Sequence, residues 1–255
     1  MRIDRRTLLR LTGVSLLAAA GKKVASVLGA VVESGTPAVQ PPARRWAMVI
    51  DLPKCLKDEG CTKCITACHR LHNVPLIEDF RHEVKWIWKA SFENAFPSME
   101  SPYIAETLRG KQVPVFCNHC ADPPCVRVCP TQATWKRQDG VVMMDWHRCI
   151  GCRYCMVACP YGSRSFNWVD PRPHIAEMNP DFPTRTKGVV EKCTLCYERL
   201  NKGQLPACVE ACPEKAMVFG DLDDPASEVR QRLEARYSIR RQPELGTQPE
   251  IYYLV

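Results

Sequence analysis

Apolar residues in this chain fall in short runs separated by polar, turn-rich stretches, not in long periodic segments. Trp46–Asp51, Val113–Phe116, Val141–Asp145 and Gly188–Lys192 each read as a brief strand bounded by turn residues. A second apolar run follows the later cysteine-bearing segments, at Ala133–Arg137, Ser165–Trp168 and Ala216–Phe219. The result is a weak internal repeat over residues 46–220. Asp139-Gly140, with strand-like residues on both sides, is a strong hairpin signal. His82–Lys89 alternates, with Val84, Trp86 and Trp88 on one face, and predicts a half-buried strand. Asp224-Pro225 predicts a helix start, because Asp caps and Pro suits the first turn. That helix would run to about Tyr237 with Val229, Leu233 and Ala226 inward.

The repeat is punctuated by cysteine. Sixteen cysteines form four groups of four. The first is Cys55-x5-Cys61-x2-Cys64-x3-Cys68, and the second is Cys117-x2-Cys120-x4-Cys125-x3-Cys129. The third, Cys149-x2-Cys152-x2-Cys155-x3-Cys159, is the run of bacterial iron–sulfur ferredoxins. The fourth, Cys193-x2-Cys196-x11-Cys208-x3-Cys212, is the same unit with its middle stretched. Pro130, Pro160 and Pro213 close the last three groups. Two residues between thiolates let a tight turn aim successive sulfurs at neighbouring corners of one iron–sulfur cube. The fourth cysteine points away and ligates a neighbouring cluster in two-cluster ferredoxins, so the groups are expected to work in pairs.

Rival chemistries fit less well. Structural zinc uses two Cys-x2-Cys pairs, and gives no role to the close-spaced third and fourth thiolates of the third group. Disulfide frameworks suit chains below about a hundred residues, whereas this one has 255 residues and is 45% hydrophobic. Haem attachment needs Cys-x-x-Cys-His, and Cys64-x3-Cys68-His69 is one residue too long. A Rieske site needs two His ligands, and Cys117-x-His119 supplies half of one. His119 is read instead as a hydrogen-bond donor to sulfur. Arg148, Arg153, Arg164 and Lys192 lie beside ligands and read either as solvated charges or as groups that raise local potentials. Trp135 and Trp168 read as core residues.

Charge then changes meaning. The formal net charge is +7 with cysteines neutral. Oxidised cubes contribute roughly −2 each, about −8 in all, leaving the loaded chain near −1 and giving no case for nucleic acid. Arg5-Arg6, followed by the modest apolar run Leu11–Ala20, resembles a twin-arginine export signal, although Asp4, Leu8 and Arg10 depart from its usual pattern. Residues 1–30 are therefore expected to be that signal, and a periplasmic location follows. Residues 31–45, with Pro37, Pro41 and Pro42, read as a linker, and 46–222 as the cluster domain. Within it, 69–116 is an insertion of 48 residues between Cys68 and Cys117, too long for a plain loop. Residues 170–187, with Pro171, Pro173, Pro180 and Pro183, are expected to cover a surface or meet a partner, and 223–255 to form a C-terminal helix and tail without a membrane anchor.

These cysteine groups, with Cys117-Asn-His-Cys-Ala-Asp-Pro-Pro-Cys125 and Cys159-Pro-Tyr-Gly-Ser-Arg-Ser-Phe-Asn-Trp168, resemble the four-cluster ferredoxin-type electron-transfer subunits of redox complexes. The twin-arginine start, the missing anchor and the segment Asn179–Gly188 resemble, within that family, the DsrO-type subunits of DsrMKJOP sulfur-metabolism complexes. The resemblance implies an α+β fold of two interleaved bacterial-ferredoxin-like modules, with a β-rich insertion and a C-terminal helix. It implies four 4Fe–4S clusters. Their ligands would be Cys55, Cys61, Cys64 and Cys212; Cys68, Cys193, Cys196 and Cys208; Cys117, Cys120, Cys125 and Cys159; and Cys129, Cys149, Cys152 and Cys155. The implied role is relaying single electrons, with no catalytic residue on this chain. The implied partners are an NrfD-type polytopic membrane subunit and a periplasmic multihaem cytochrome c. The alternative is the iron–sulfur subunit of an exported molybdopterin oxidoreductase, such as tetrathionate or polysulfide reductase, with catalysis on a separate subunit.

Overall fold

The computed structural model describes residues 44–99 and 101–255. The expected signal at 1–30 and most of the linker lie outside them. Ten strands and eight α-helices follow in order among the described residues. They begin with β1 (Trp46–Asp51), α1 (Leu52–Cys55), α2 (Lys63–Leu71), β2 (Ile87–Ser91), α3 (Phe92–Ala95) and β3 (Gln112–Phe116). Next come α4 (Pro124–Arg127), β4 (Thr134–Lys136), β5 (Val142–Met144), α5 (Tyr154–Ala158), β6 (Ser165–Phe166) and β7 (Val190–Glu191). The chain ends with α6 (Tyr197–Leu200), α7 (Ala207–Glu210), β8 (Met217–Asp221), α8 (Glu228–Ala235), β9 (Ser238–Ile239) and β10 (Ile251–Leu254). No described helix is long and apolar enough to cross a membrane.

β1 is apolar on both faces because both are covered. Met48 and Ile50 join the main core, while Ala47 and Val49 meet Val229 under α8. Ser227 caps that helix, its hydroxyl accepting from the Arg230 amide. The expected cap residue, Asp224, instead accepts from the Ala226 amide, in a turn before the helix that leaves Ala226 exposed. Gly220 permits the close crossing, since a Cβ there would sit 3.3 Å from a Val229 methyl.

The C-terminal segment is more than a tail. Its sheet has the order β8-β1-β10-β9, with β10 parallel to β1 and paired Met48 to Ile251 through Asp51 to Leu254. Just upstream, Gln248 and Thr247 carbonyls accept from the Ala121 and Asp122 amides, bracing the loop of the second cysteine group.

The insertion is less β-rich than expected. It holds the end of α2, the antiparallel β2–β3 pair, register Ile87 to Phe116, and the short α3 between those strands, with otherwise largely irregular chain. The strand predicted from His82 starts only at Ile87, because the Lys85 amide donates to Ser165 Oγ and Trp86 Nε1 to Glu191. The Asp139-Gly140 turn does join β4 to β5, with Gly140 at φ +86°. The proline-bearing segment 170–187 covers a surface as expected but also enters the core, where Phe182 and Arg185 are buried. Trp135 and Trp168 are partly exposed, at 39% and 40%, not core residues.

Candidate iron–sulfur sites

The Cys-x2-Cys loops of the second, third and fourth groups turn through the left-handed region. His119 (φ +41°), Gly151 (φ +71°), Leu195 (φ +57°) and Cys196 (φ +53°) supply the bends. Gly151 is required on space as well, because a Cβ there would clash with the Gly188 carbonyl oxygen. Such turns aim amides at sulfur. Leu195 N–H points to Cys193 Sγ at 3.3 Å, Ala207 N–H to Cys196 Sγ at 3.4 Å, and Ala216 N–H to Cys212 Sγ at 3.3 Å. Donors of this kind favour the thiolate form.

All sixteen cysteines are free, and the fold gathers them into sets. Cys55, Cys61, Cys64 and Cys212 line one cleft. Cys117, Cys120, Cys125 and Cys159 line another. Burial, and then the neighbouring Cys193, Cys196 and Cys208 thiols, push Cys68 well above its ordinary value. Cys129, Cys149 and Cys155 pack in one small core with Cys125, and Cys152 lies on the same loop. Helices make these meetings possible: α2 packs on α7, and α4 on α5.

Neighbouring sets lie close together, with Cys125 and Cys155 in one packed core and Cys64 and Cys208 in another. Burial raises Cys155 and is assisted by Cys125, while Cys193 is pushed up to about 12 by burial and then by Cys117. Cys64 contributes in the same way to the raised Cys208. The sets therefore run in one line: Cys129/149/152/155, then Cys117/120/125/159, then Cys68/193/196/208, then Cys55/61/64/212.

Two buried cations sit at junctions of that line. Arg164, 4% exposed, donates to Cys125 Sγ at 3.0 Å and Thr134 Oγ1 at 2.8 Å, and reaches Met144 Sδ at 3.7 Å. Lys192, fully buried, donates to the Val142 and Cys193 carbonyls. Burial alone would raise the Cys117 thiol, but Lys192, His119 and Arg164 outweigh it and hold it well below its ordinary value. Neither cation has a carboxylate partner among the described residues. A buried charge without a counter-ion costs several kcal/mol, roughly, so the site calls for an anion. A cube held by thiolates carries that negative charge, and the donor set fits it.

His119 fits the same reading. Its Nδ1 accepts from the Val142 amide at 3.1 Å, so the ring proton lies on Nε2, which is buried without a nitrogen or oxygen partner beside Cys117. Arg148 and Arg153 are surface groups: Arg148 pairs with Asp145 at 3.3 Å, and Arg153 lies 4.8 Å over the Trp168 ring. Sequence reading missed His72, buried four residues past Cys68, whose Nε2 meets Glu198 Oε1 at 2.8 Å beside Cys196. Its signal was its place one helical turn after a ligand. Thr247, next to Cys120, had no local signal at all.

Cysteine quartets, inward amides and buried cations define an iron–sulfur protein built to hold reducible clusters. Residues 109–174 and 178–222 match the family described as 4Fe-4S dicluster domain. The chain is 40% identical to the Hdr-like menaquinol oxidoreductase iron-sulfur subunit 1 of Archaeoglobus fulgidus, over 98% of this chain and 97% of the relative. It is 36% identical to the menaquinone reductase iron-sulfur cluster-binding subunit of Nitratidesulfovibrio vulgaris, over 82% and 88%. It is 37% identical to a tetrathionate reductase subunit from Salmonella typhimurium, over 84% and 73%. The chain belongs to the family of 4Fe–4S electron-transfer subunits of oxidoreductase complexes.

Proposed function

We propose that this chain is a wire of four 4Fe–4S clusters, held by the four cysteine sets, that relays single electrons between a quinone-interacting membrane subunit and a second redox partner. The observation that carries this is the line of thiol sets, each near enough to the next to bear on its ionisation, with Cys125 and Cys155 packed in one core and Cys64 and Cys208 in another. In this reading the chain forms two interleaved ferredoxin-like modules, one from groups one and four, the other from groups two and three. The protein's part is to hold each cube, exclude water and set its potential within a span of about −700 to +450 mV. Bound clusters supply the one-electron chemistry.

The quinone side is supported by the relative named as a menaquinol oxidoreductase subunit, which aligns along nearly the whole chain. A DsrO-type place beside an NrfD-type subunit and a periplasmic multihaem cytochrome c is our reading of the partners. Arg5-Arg6 supports export by the twin-arginine route. A second reading, the iron–sulfur subunit of an exported molybdopterin reductase, is favoured by the likeness to the tetrathionate reductase relative. Isolation of the native complex separates them: molybdenum in it establishes the second.

Metal analysis of the anaerobic protein should give about sixteen irons per chain, four per cube. Cys159→Ala should alter the spectrum of the cluster on Cys117, Cys120 and Cys125 while its own group's cluster remains. An unchanged spectrum for that cluster rejects the shared-ligand pairing.

A further inference from the structure

The two ends of the line differ in surface chemistry. At the Cys55 end, neither residues 52–68 nor residues 207–217 expose a large apolar side chain. The surface there is charged and self-paired, with Lys57 on Glu214 at 3.5 Å and Lys111 on Glu59 at 2.5 Å. At the other end, the residues flanking the ligands are apolar and open: Ile150 is 67% exposed, Tyr154 62%, Val157 87% and Val128 37%. Cys129, beside Val128, packs with Cys149 and Cys155, so these side chains collar one terminal set.

The collar is set in arginine. Residues 123–138 and 146–164 contain no Asp or Glu. Arg127 and Arg148 are exposed, each with a single rim carboxylate, Asp122 at 3.7 Å and Asp145 at 3.3 Å. Arg153 is laid over Trp168 and Phe166, at 4.8 and 5.4 Å, with no carboxylate partner among the described residues. Apolar side chains left in water around a terminal cysteine set, rimmed by arginines, match the build of a protein interface: an apolar centre, a polar rim and arginine anchors.

We infer that this face is the docking surface for a redox protein partner, which presents an apolar patch around its own cofactor and carboxylates that meet Arg127, Arg148 and Arg153. The inference rests on the wire reading, since it assigns a partner to one terminal set. Electron transfer falls off steeply with distance, and a partner seated on the collar brings its cofactor nearest the Cys129/149/152/155 set.

Hydroxyl-radical footprinting of the native complex against the separated, cluster-loaded subunit tests this. Tyr154, Ile150 and Val157 should be protected in the complex and labelled when the subunit is free. Val157→Glu and the pair Arg127→Glu/Arg148→Glu should each weaken retention in the complex by about tenfold or more, with the arginine effect shrinking as salt rises. Lys57→Glu, at the other end, should leave protection of Tyr154 intact. Equal labelling of Tyr154 in complex and free subunit overturns the inference. So does full protection by vesicles of anionic phospholipid alone, which would make the face a lipid contact. Iron content and visible spectrum of the same variants report on the wire reading separately: loss of iron in the unmodified subunit would sink that reading, not the docking face alone.

Discussion

Replacing Arg164 by Met is expected to lower the reduction potential of the cluster on Cys117, Cys120, Cys125 and Cys159 by on the order of 100 mV. The estimate follows from Coulomb's law. A unit charge about 5 Å from a reducible centre, at an effective permittivity of about 20, contributes about 3 kcal/mol to the more negative, reduced state. Arg164 also donates directly to Cys125 Sγ at 3.0 Å, a bond that strengthens as sulfur gains charge. Lys192→Met should lower the same potential by a comparable amount and also affect the neighbouring set at Cys193, whose backbone carbonyl it holds. Arg164→Lys, which keeps the charge, should recover most of the shift. Arg148→Met should move little, since Arg148 is exposed and screened. Potentiometric titration followed by electron paramagnetic resonance reads each cluster's midpoint. If Arg164→Met and Arg148→Met give the same midpoint, burial of the cation is irrelevant to potential.

Arg185→Met should destabilise the fold by about 3–5 kcal/mol, because it strands a buried carboxylate. Both members of the Arg185–Glu191 pair are fully buried, 2.7 Å apart. Arg185 further donates to the carbonyls of His72 and Asn73, and its guanidinium lies over Trp86 and Trp146. Glu191 accepts from Trp86 Nε1 at 2.8 Å and Asn167 Nδ2 at 2.6 Å. One network thus ties the insertion, the proline-bearing segment and β7 together behind the cluster line. The double change Arg185→Met/Glu191→Leu should recover only part of the loss, because Trp86 and Asn167 keep donors without acceptors. Thermal loss of cluster absorbance is the readout, with a drop of about 10 °C expected for the single variant. A drop under about 2 °C would show the pair to be dispensable.

These residues also mark how far the chain can be read unaided. Trp46–Asp51 forms a strand with the bounds its apolar run predicts, and the Asp139-Gly140 hairpin forms as expected, because both signals are local. Which arginine matters is not legible. Arg148, Arg153 and Arg164 all flank ligands in sequence, yet only Arg164 is carried inward, by the turn before β6. Trp168 reads as core and is instead a platform for Arg153, since its ring meets a cation at the surface before it meets a pocket.

Spacing between cysteines, by itself, determined the chemistry: turns of two residues fix where successive sulfurs point, and no distant contact is needed for that. The tertiary structure alone decided the order of the sets, the two cations at their junctions and the seat of β10 beside β1. β10 hydrogen-bonds to a strand from the start of the domain, and a pairing between such distant segments leaves no mark on the residues near either one. Burial works likewise, because what covers a side chain arrives from elsewhere along the chain.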